Sequence, residues 1–139
     1  MEKLLVICIV DDDDDVYKFT LNKTIESQNF ANKIMMFSDG EEAIDFLSDN
    51  LNDPNNLPDV IFLDINMPIM DGFEFMEEYI KIKPYVGKKI IIYMVTSSID
   101  PIDIERSKAI SEISDYIVKP IDAKQLAEIV ENLETSSEI

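Results

Sequence analysis

The chain alternates in a way that leaves few folds open to it. Short, β-branched apolar runs recur along its length, each followed by a segment with helical spacing. The runs "LLVICIV" (4–10), "KIMMF" (33–37), "VIFL" (60–63), "IIIYMV" (90–95) and "DYIV" (115–118) have the length and composition of strands. The first, third and fourth are almost continuously apolar, as parallel strands covered on both faces must be. Between the runs, Tyr17, Leu21 and Ile25 recur at four-residue spacing within 14–28, and Ala43, Ile44 and Leu47 follow an acidic first turn within 39–48. Phe73, Met76 and Ile80 follow Asp71-Gly72, and Ile102, Arg106, Ala109 and Ile110 follow Asp100-Pro101. Leu126, Ile129, Val130 and Leu133 follow Asp122, a residue suited to an N-cap. Five strand-then-helix repeats predict an α/β fold, an open, doubly wound parallel sheet with right-handed crossovers.

Composition narrows the chemistry. The 139 residues suit one domain with a proper core, and no internal repeat or second-domain boundary interrupts the pattern. The domain is expected over 1–134, with 135–139 a short disordered tail and no room for an output domain. "SDNLNDPNNLPD" (48–59) reads as a surface loop, and "KIKPYVGKK" (81–89), with four of the twelve basic residues, as a solvated loop first and a docking patch second. Because 81–89 precedes the fourth strand, it belongs at the end of the sheet opposite the strand C-termini. Histidine is absent, which excludes Ser-His-Asp and Cys-His catalysis and every histidine metal site. The single cysteine, Cys8, lies in the first apolar run and reads as a buried core thiol. Any metal must then be a hard, oxygen-seeking cation such as magnesium or calcium. A formal charge of −17 repels phosphate backbones and anionic lipid, so neither nucleic acid nor membrane is an expected partner. The longest apolar run is too short to span a bilayer and the N-terminus lacks the form of a signal peptide, so a cytoplasmic location is expected.

In an open parallel sheet, ligands bind at the carboxyl ends of the strands. Those ends read Asp11-Asp12 for the first strand, Asp64 for the third, Thr96 with Ser97 and Ser98 for the fourth, and Lys119-Pro120 for the fifth. Three carboxylates brought to one rim cannot all stay ionised without a cation. Oxygen ligands without histidine favour magnesium, which takes one or two carboxylates and keeps several waters. A lysine is a mobile point charge for a phosphoryl group, a hydroxyl can hydrogen-bond one of its oxygens, and an aspartate beside magnesium can act as a nucleophile.

"VDDDDD", "DVIFLDINMPIMDGFEF", "MVTSS" and "SDYIVKP" resemble, in order and spacing, the motifs of the CheY-like receiver domain of two-component response regulators, over residues 4 to about 133. The resemblance implies a flavodoxin-like (βα)5 sandwich whose five-stranded sheet has the order 2-1-3-4-5. It implies Asp64 as phosphoacceptor, taking a phosphoryl group from a phosphohistidine on a sensor histidine kinase or a histidine phosphotransfer protein. Asp11, Asp12, Asp64 and the backbone carbonyl of Asn66 would hold Mg2+, with Mn2+ a possible substitute, and Asp12 would be a more direct ligand than Asp11. Thr96 and Lys119 would contact the phosphoryl group, Thr96 and Tyr116 would form the switch, and the Lys119-Pro120 bond would be cis. Met67-Pro68 and Asp71-Gly72 would shape the turn after the acceptor. Asp13 to Asp15 would serve as turn and helix-start residues. The expected protein is a stand-alone phosphorelay component, not an enzyme beyond its own phosphorylation and dephosphorylation. It would signal to a protein target through its helix 4–strand 5–helix 5 face and could form a homodimer. Ser97 departs from the family, which more often has alanine or glycine there, and the loops at 48–59 and 81–89 exceed the minimal fold.

Three alternatives compete. An EF-hand loop beginning at Asp11 would need glycine at Val16 and glutamate at Asn22, so that reading fails. A haloacid-dehalogenase-like phosphatase would also use a strand-end aspartate, but would want a second aspartate where Asn66 stands. A pseudo-receiver that binds partners without phosphorylation is disfavoured by retention of the pocket positions.

Overall fold

A computed structural model of the chain describes residues 5–12, 23–26, 33–119 and 121–136. Five strands, β1 (Val6–Val10), β2 (Lys33–Phe37), β3 (Val60–Leu63), β4 (Ile91–Thr96) and β5 (Ile113–Val118), form one parallel sheet of order β2-β1-β3-β4-β5. Helices α2 (Gly40–Asp49), α3 (Gly72–Ile82), α4 (Pro101–Lys108) and α5 (Ala123–Ser136) connect or follow the strands, and a helical stretch at 23–26 (α1) lies between β1 and β2. This is the flavodoxin-like arrangement expected. Among the described residues no helix is long and apolar enough to cross a membrane.

The interior strands are buried along nearly their whole length because they pack on both faces, and the side chains of β1 divide strictly by parity. Val6, Cys8 and Val10 join Ala43, Leu47, Phe73, Phe75 and Met76 on the α2–α3 face. Leu5, Ile7 and Ile9 join Ile25, Leu126, Ile129 and Val130 on the α1–α5 face. The edge strands β2 and β5 are covered less completely. Aspartates start the helices by capping: Asp39 accepts from Glu42 N at 2.9 Å, Asp100 from Ile102 N at 2.9 Å, and Asp122 from Gln125 N at 2.8 Å. Asp71 and Glu74 form a reciprocal capping box at α3.

Several expectations are corrected at this level. The buried face of α3 is Phe73, Phe75, Met76 and Tyr79, while Ile80 is 42% exposed. α4 ends at Lys108, with Ala109 as its cap and Ile110 beyond it; its one buried side chain is Ser107, and Ile102 points to solvent. The segment 48–59 is not simply a surface loop: α2 runs through Asp49, Leu57 is fully buried and Asp59 nearly so. Nor is 81–89 wholly solvated, because Lys88 Nζ pairs with Asp59 Oδ1 at 3.1 Å and donates to the Pro54 and Leu57 carbonyls at 3.1 and 2.8 Å. β5 begins at Ile113, two residues before the apolar run suggested, and α5 extends through Ser136. The positions of Tyr17, Leu21 and Asp13 to Asp15, and the Lys119-Pro120 bond, fall outside the described residues.

Candidate functional site

The sheet register sets the site. Val10 pairs with Leu63, Leu63 with Met94, and Thr96 with Val118, so the residues that follow emerge on one rim. Backbone bonds continue the ladder to that rim: Asp11 N to Phe37 O at 3.0 Å, Asp64 N to Val10 O at 2.9 Å, and Lys119 N to Thr96 O at 2.9 Å. These bonds fix the backbone from which the functional side chains project.

Asp11 and Asp64 are buried and Asp12 is exposed, and one carboxylate oxygen from each lies within 4.8 Å of the others. Lys119 reaches between the two buried carboxylates, with Nζ 2.7 Å from Asp11 Oδ2 and 3.2 Å from Asp64 Oδ2. The other Asp64 oxygen accepts from Ile65 N at 2.7 Å. Three carboxylates against one ammonium leave two excess negative charges, which a hard divalent cation would offset. The oxygen-only donor set therefore fits Mg2+, as the family resemblance implies. Asn66 is exposed beside the acceptor in the β3–α3 turn.

That turn is built for close approach. A Cβ on Gly72 would lie 2.3 Å from the Asp64 carbonyl oxygen, so only glycine lets α3 start against the acceptor backbone, where Gly72 N bonds Ile65 O at 2.8 Å. Within the same turn Ile69 has φ 68°, a conformation that costs a β-branched residue free energy.

Thr96 is fully buried, and its Oγ1 accepts from Ser98 N at 3.2 Å. Ser98, noted in the sequence only as part of a strand end, is a junction. Its hydroxyl donates to Asp103 Oδ2 on α4 at 2.7 Å, and its carbonyl accepts from the half-buried Tyr116 hydroxyl at 2.8 Å. Ser98 thus links Thr96, Tyr116 and α4, a connection that no local sequence signal announces. Burial pushes the Tyr116 phenol above its usual range, against the bond to Ser98, and the carboxylates of Asp103, Asp64 and Asp100 add to the rise. Ser97 is exposed.

A five-stranded parallel sheet of this order, with paired carboxylates and a lysine at its carboxyl rim, defines a class of signalling phosphoacceptor domains. Residues 7–131 match the family model of the response regulator receiver domain, and the chain belongs to that family. A two-component response regulator from Cytophaga hutchinsonii superposes with a TM-score of 0.80 at 26% identity, covering 94% of this chain and 98% of that one. The probable methanogenesis regulatory protein FilR2 of Methanothrix harundinacea is 24% identical over 91% of this chain and 80% of its own length. The hybrid signal transduction histidine kinase I of Dictyostelium discoideum is 35% identical over 70% of this chain, which spans 6% of that protein's length.

Proposed function

We propose that this receiver accepts a phosphoryl group on Asp64 in a Mg2+-dependent reaction and that the modification changes its affinity for a partner protein. The observation that carries this reading is the Lys119 ammonium, 2.7 Å from Asp11 and 3.2 Å from Asp64, on a rim that also holds Asp12. Asp64 Oδ2, which Lys119 contacts at 3.2 Å and Ile65 N leaves unengaged, attacks the phosphorus of a phosphohistidine on a sensor histidine kinase or phosphotransfer protein. The phosphorus–nitrogen bond breaks, its electron pair stays on the imidazole, which takes a proton from solvent, and an acyl phosphate forms on Asp64.

Asp11, Asp12, Asp64 and the Asn66 carbonyl are the proposed Mg2+ ligands, with Mn2+ able to substitute. The ion, when bound, supplies positive charge against the carboxylates and the phosphoryl oxygens. Lys119 transfers its contact from the Asp64 carboxylate to a phosphoryl oxygen. Thr96 acts as acceptor towards Ser98 N, which leaves its own O–H to donate to the phosphoryl group. A shift of Thr96 pulls on Ser98, and through Ser98 on Tyr116 and Asp103, so the α4–β5–α5 face changes with phosphorylation as a population shift between two states. That face, where Ile102 and Val118 are exposed, is the proposed docking surface for a protein target or for a second copy. A water attacking the acyl phosphate returns the domain to its resting state.

Treatment with acetyl phosphate and Mg2+ tests the assignment. Wild type gains one hydroxylamine-labile phosphoryl group by intact mass, and Asp64→Asn gains none. Equal labelling of the two proteins overturns it.

A further inference from the structure

At the end of the sheet opposite the acidic rim, a second polar cleft of about 490 Å3 opens on the surface. Tyr79 and Lys83 wall it from the end of α3, Lys89 from the segment entering β4, and Glu112 and Ser114 from the start of β5. The volume lies within the range of small-molecule sites, roughly 300–1,000 Å3.

Three observations give the cleft a chemical preference. Tyr79 is 2% exposed and its ring is stacked on Phe75, with centroids 6.1 Å apart. Among the described residues its hydroxyl makes no hydrogen bond, and it lines the cleft. A phenol whose oxygen opens on the cleft can donate to an acceptor seated there. Burial first, then the Glu112 carboxylate, pushes its pKa up to about 12, so it keeps its proton at any physiological pH.

The second observation is charge. In a chain of formal charge −17, Lys81, Lys83, Lys88 and Lys89 gather within nine residues. Lys88 is consumed by Asp59 and two carbonyls. Lys83 is held only at 3.5 Å from Glu112, and Lys89 has no ion pair among the described residues. The third is a register shift in the sheet. Ile92 pairs with Ile113 and Tyr93 with Asp115, which leaves Ser114 as an extra residue on β5 at the edge of the cleft. The cleft therefore presents a phenol, two weakly engaged ammoniums and a serine hydroxyl against a single carboxylate.

We propose that this cleft binds a small anion bearing carboxylate or phosphate groups, gripped by the Tyr79 hydroxyl and the Lys83 and Lys89 ammoniums. The full-length chain, 15N-labelled and metal-free at fixed ionic strength, is titrated with citrate in one arm and pyrophosphate in the other. Saturable shifts of the amides at 83–90 and 111–114 are expected with at least one probe. Saturation by citrate alone assigns a carboxylate ligand, and by pyrophosphate alone a phosphate ligand. Tyr79→Phe keeps the ring in the core and weakens binding about fivefold or more, and the Lys83→Gln/Lys89→Gln pair weakens it about tenfold or more. Asp64→Asn binds as wild type does. Shifts that stay linear to tens of millimolar, shifts centred on 11, 64 and 119, or affinities indifferent to all three substitutions overturn the proposal.

Discussion

Lys119→Met tests how the acidic rim holds together without metal. The ammonium is 9% exposed and sits 2.7 Å from Asp11 and 3.2 Å from Asp64, whose side chains are 2% and 9% exposed. At an effective dielectric near 20 the two attractions amount to about 6 and about 5 kcal/mol, before the desolvation of three buried ions is subtracted. What remains when one partner is removed from such a set is a loss of about 3–5 kcal/mol, because two carboxylates stay buried without the ammonium between them. For a chain of 139 residues each kcal/mol moves the melting temperature by about 3 °C, so metal-free Lys119→Met should melt about 10–15 °C below wild type. The cause is separable from lost packing by a double-mutant cycle. Asp64→Asn placed on Lys119→Met removes one of the stranded charges, and the pair should show a coupling of about 1–3 kcal/mol in calorimetry. Mg2+ should restore part of the loss in the single variant, since the ion replaces the missing positive charge. If metal-free Lys119→Met melts within about 3 °C of wild type, or if the double variant shows the plain sum of its parts, the ammonium does not hold these carboxylates and the reasoning fails.

Three other expectations rest on separate regions. Tyr79 has its pKa raised from 10.0 to about 12, so its protonated form contributes stability fully below pH 10, and that contribution is lost as the pH rises through 12. Urea titrations across that window should therefore fall more steeply for wild type than for Tyr79→Phe; parallel curves would count against the burial of the phenol. Cys8, 2% exposed with its thiol pushed up by burial, should resist a disulfide reagent in the native protein and react at once in denaturant, whereas rapid native labelling would contradict its place in the core. Ile69, at φ 68° and 73% exposed, has little packing to lose, so Ile69→Asn should stabilise the fold by about 1 kcal/mol in urea titration, and a destabilised variant would refute the strain.

The parts of this protein that the sequence reveals are those governed by short-range patterns. The near-continuous burial of β1, β3 and β4 follows from their unbroken apolar runs, and once the sheet is parallel its strand ends must share one rim, which places Asp11, Asp64, Thr96 and Lys119 together. The helical faces were harder to read. In "GFEFMEEYIKI" an apolar residue stands at nearly every second position, so a stripe through Ile80 fits the spacing as well as the stripe through Tyr79 that the core selects. α4 misleads for the opposite reason: Ile102, Arg106 and Ala109 have helical spacing, yet the face that meets the sheet buries a serine and leaves Ile102 in solvent. Ser98 and Ser114 owe their importance to the neighbours of a turn and to one extra residue in a strand, and neither circumstance leaves a mark in residue type.

The same parallel topology sets the two polar sites apart. Strand C-termini carry the acidic rim and strand N-termini the lysine-lined cleft, so the length of β4, six residues, lies between them. At about 3.3 Å per residue that is about 20 Å, more than twice the screening length of about 8 Å at physiological salt. Direct Coulomb coupling between an anion in the cleft and a phosphoryl group on Asp64 is therefore negligible, and any influence must travel through β5, where Ser114 borders the cleft and Tyr116 bonds Ser98. Tyr79→Phe should consequently leave the rate of Asp64 phosphorylation by acetyl phosphate unchanged when no anion is bound. A changed rate in that variant would mean that the two ends are coupled through packing even when the cleft is empty.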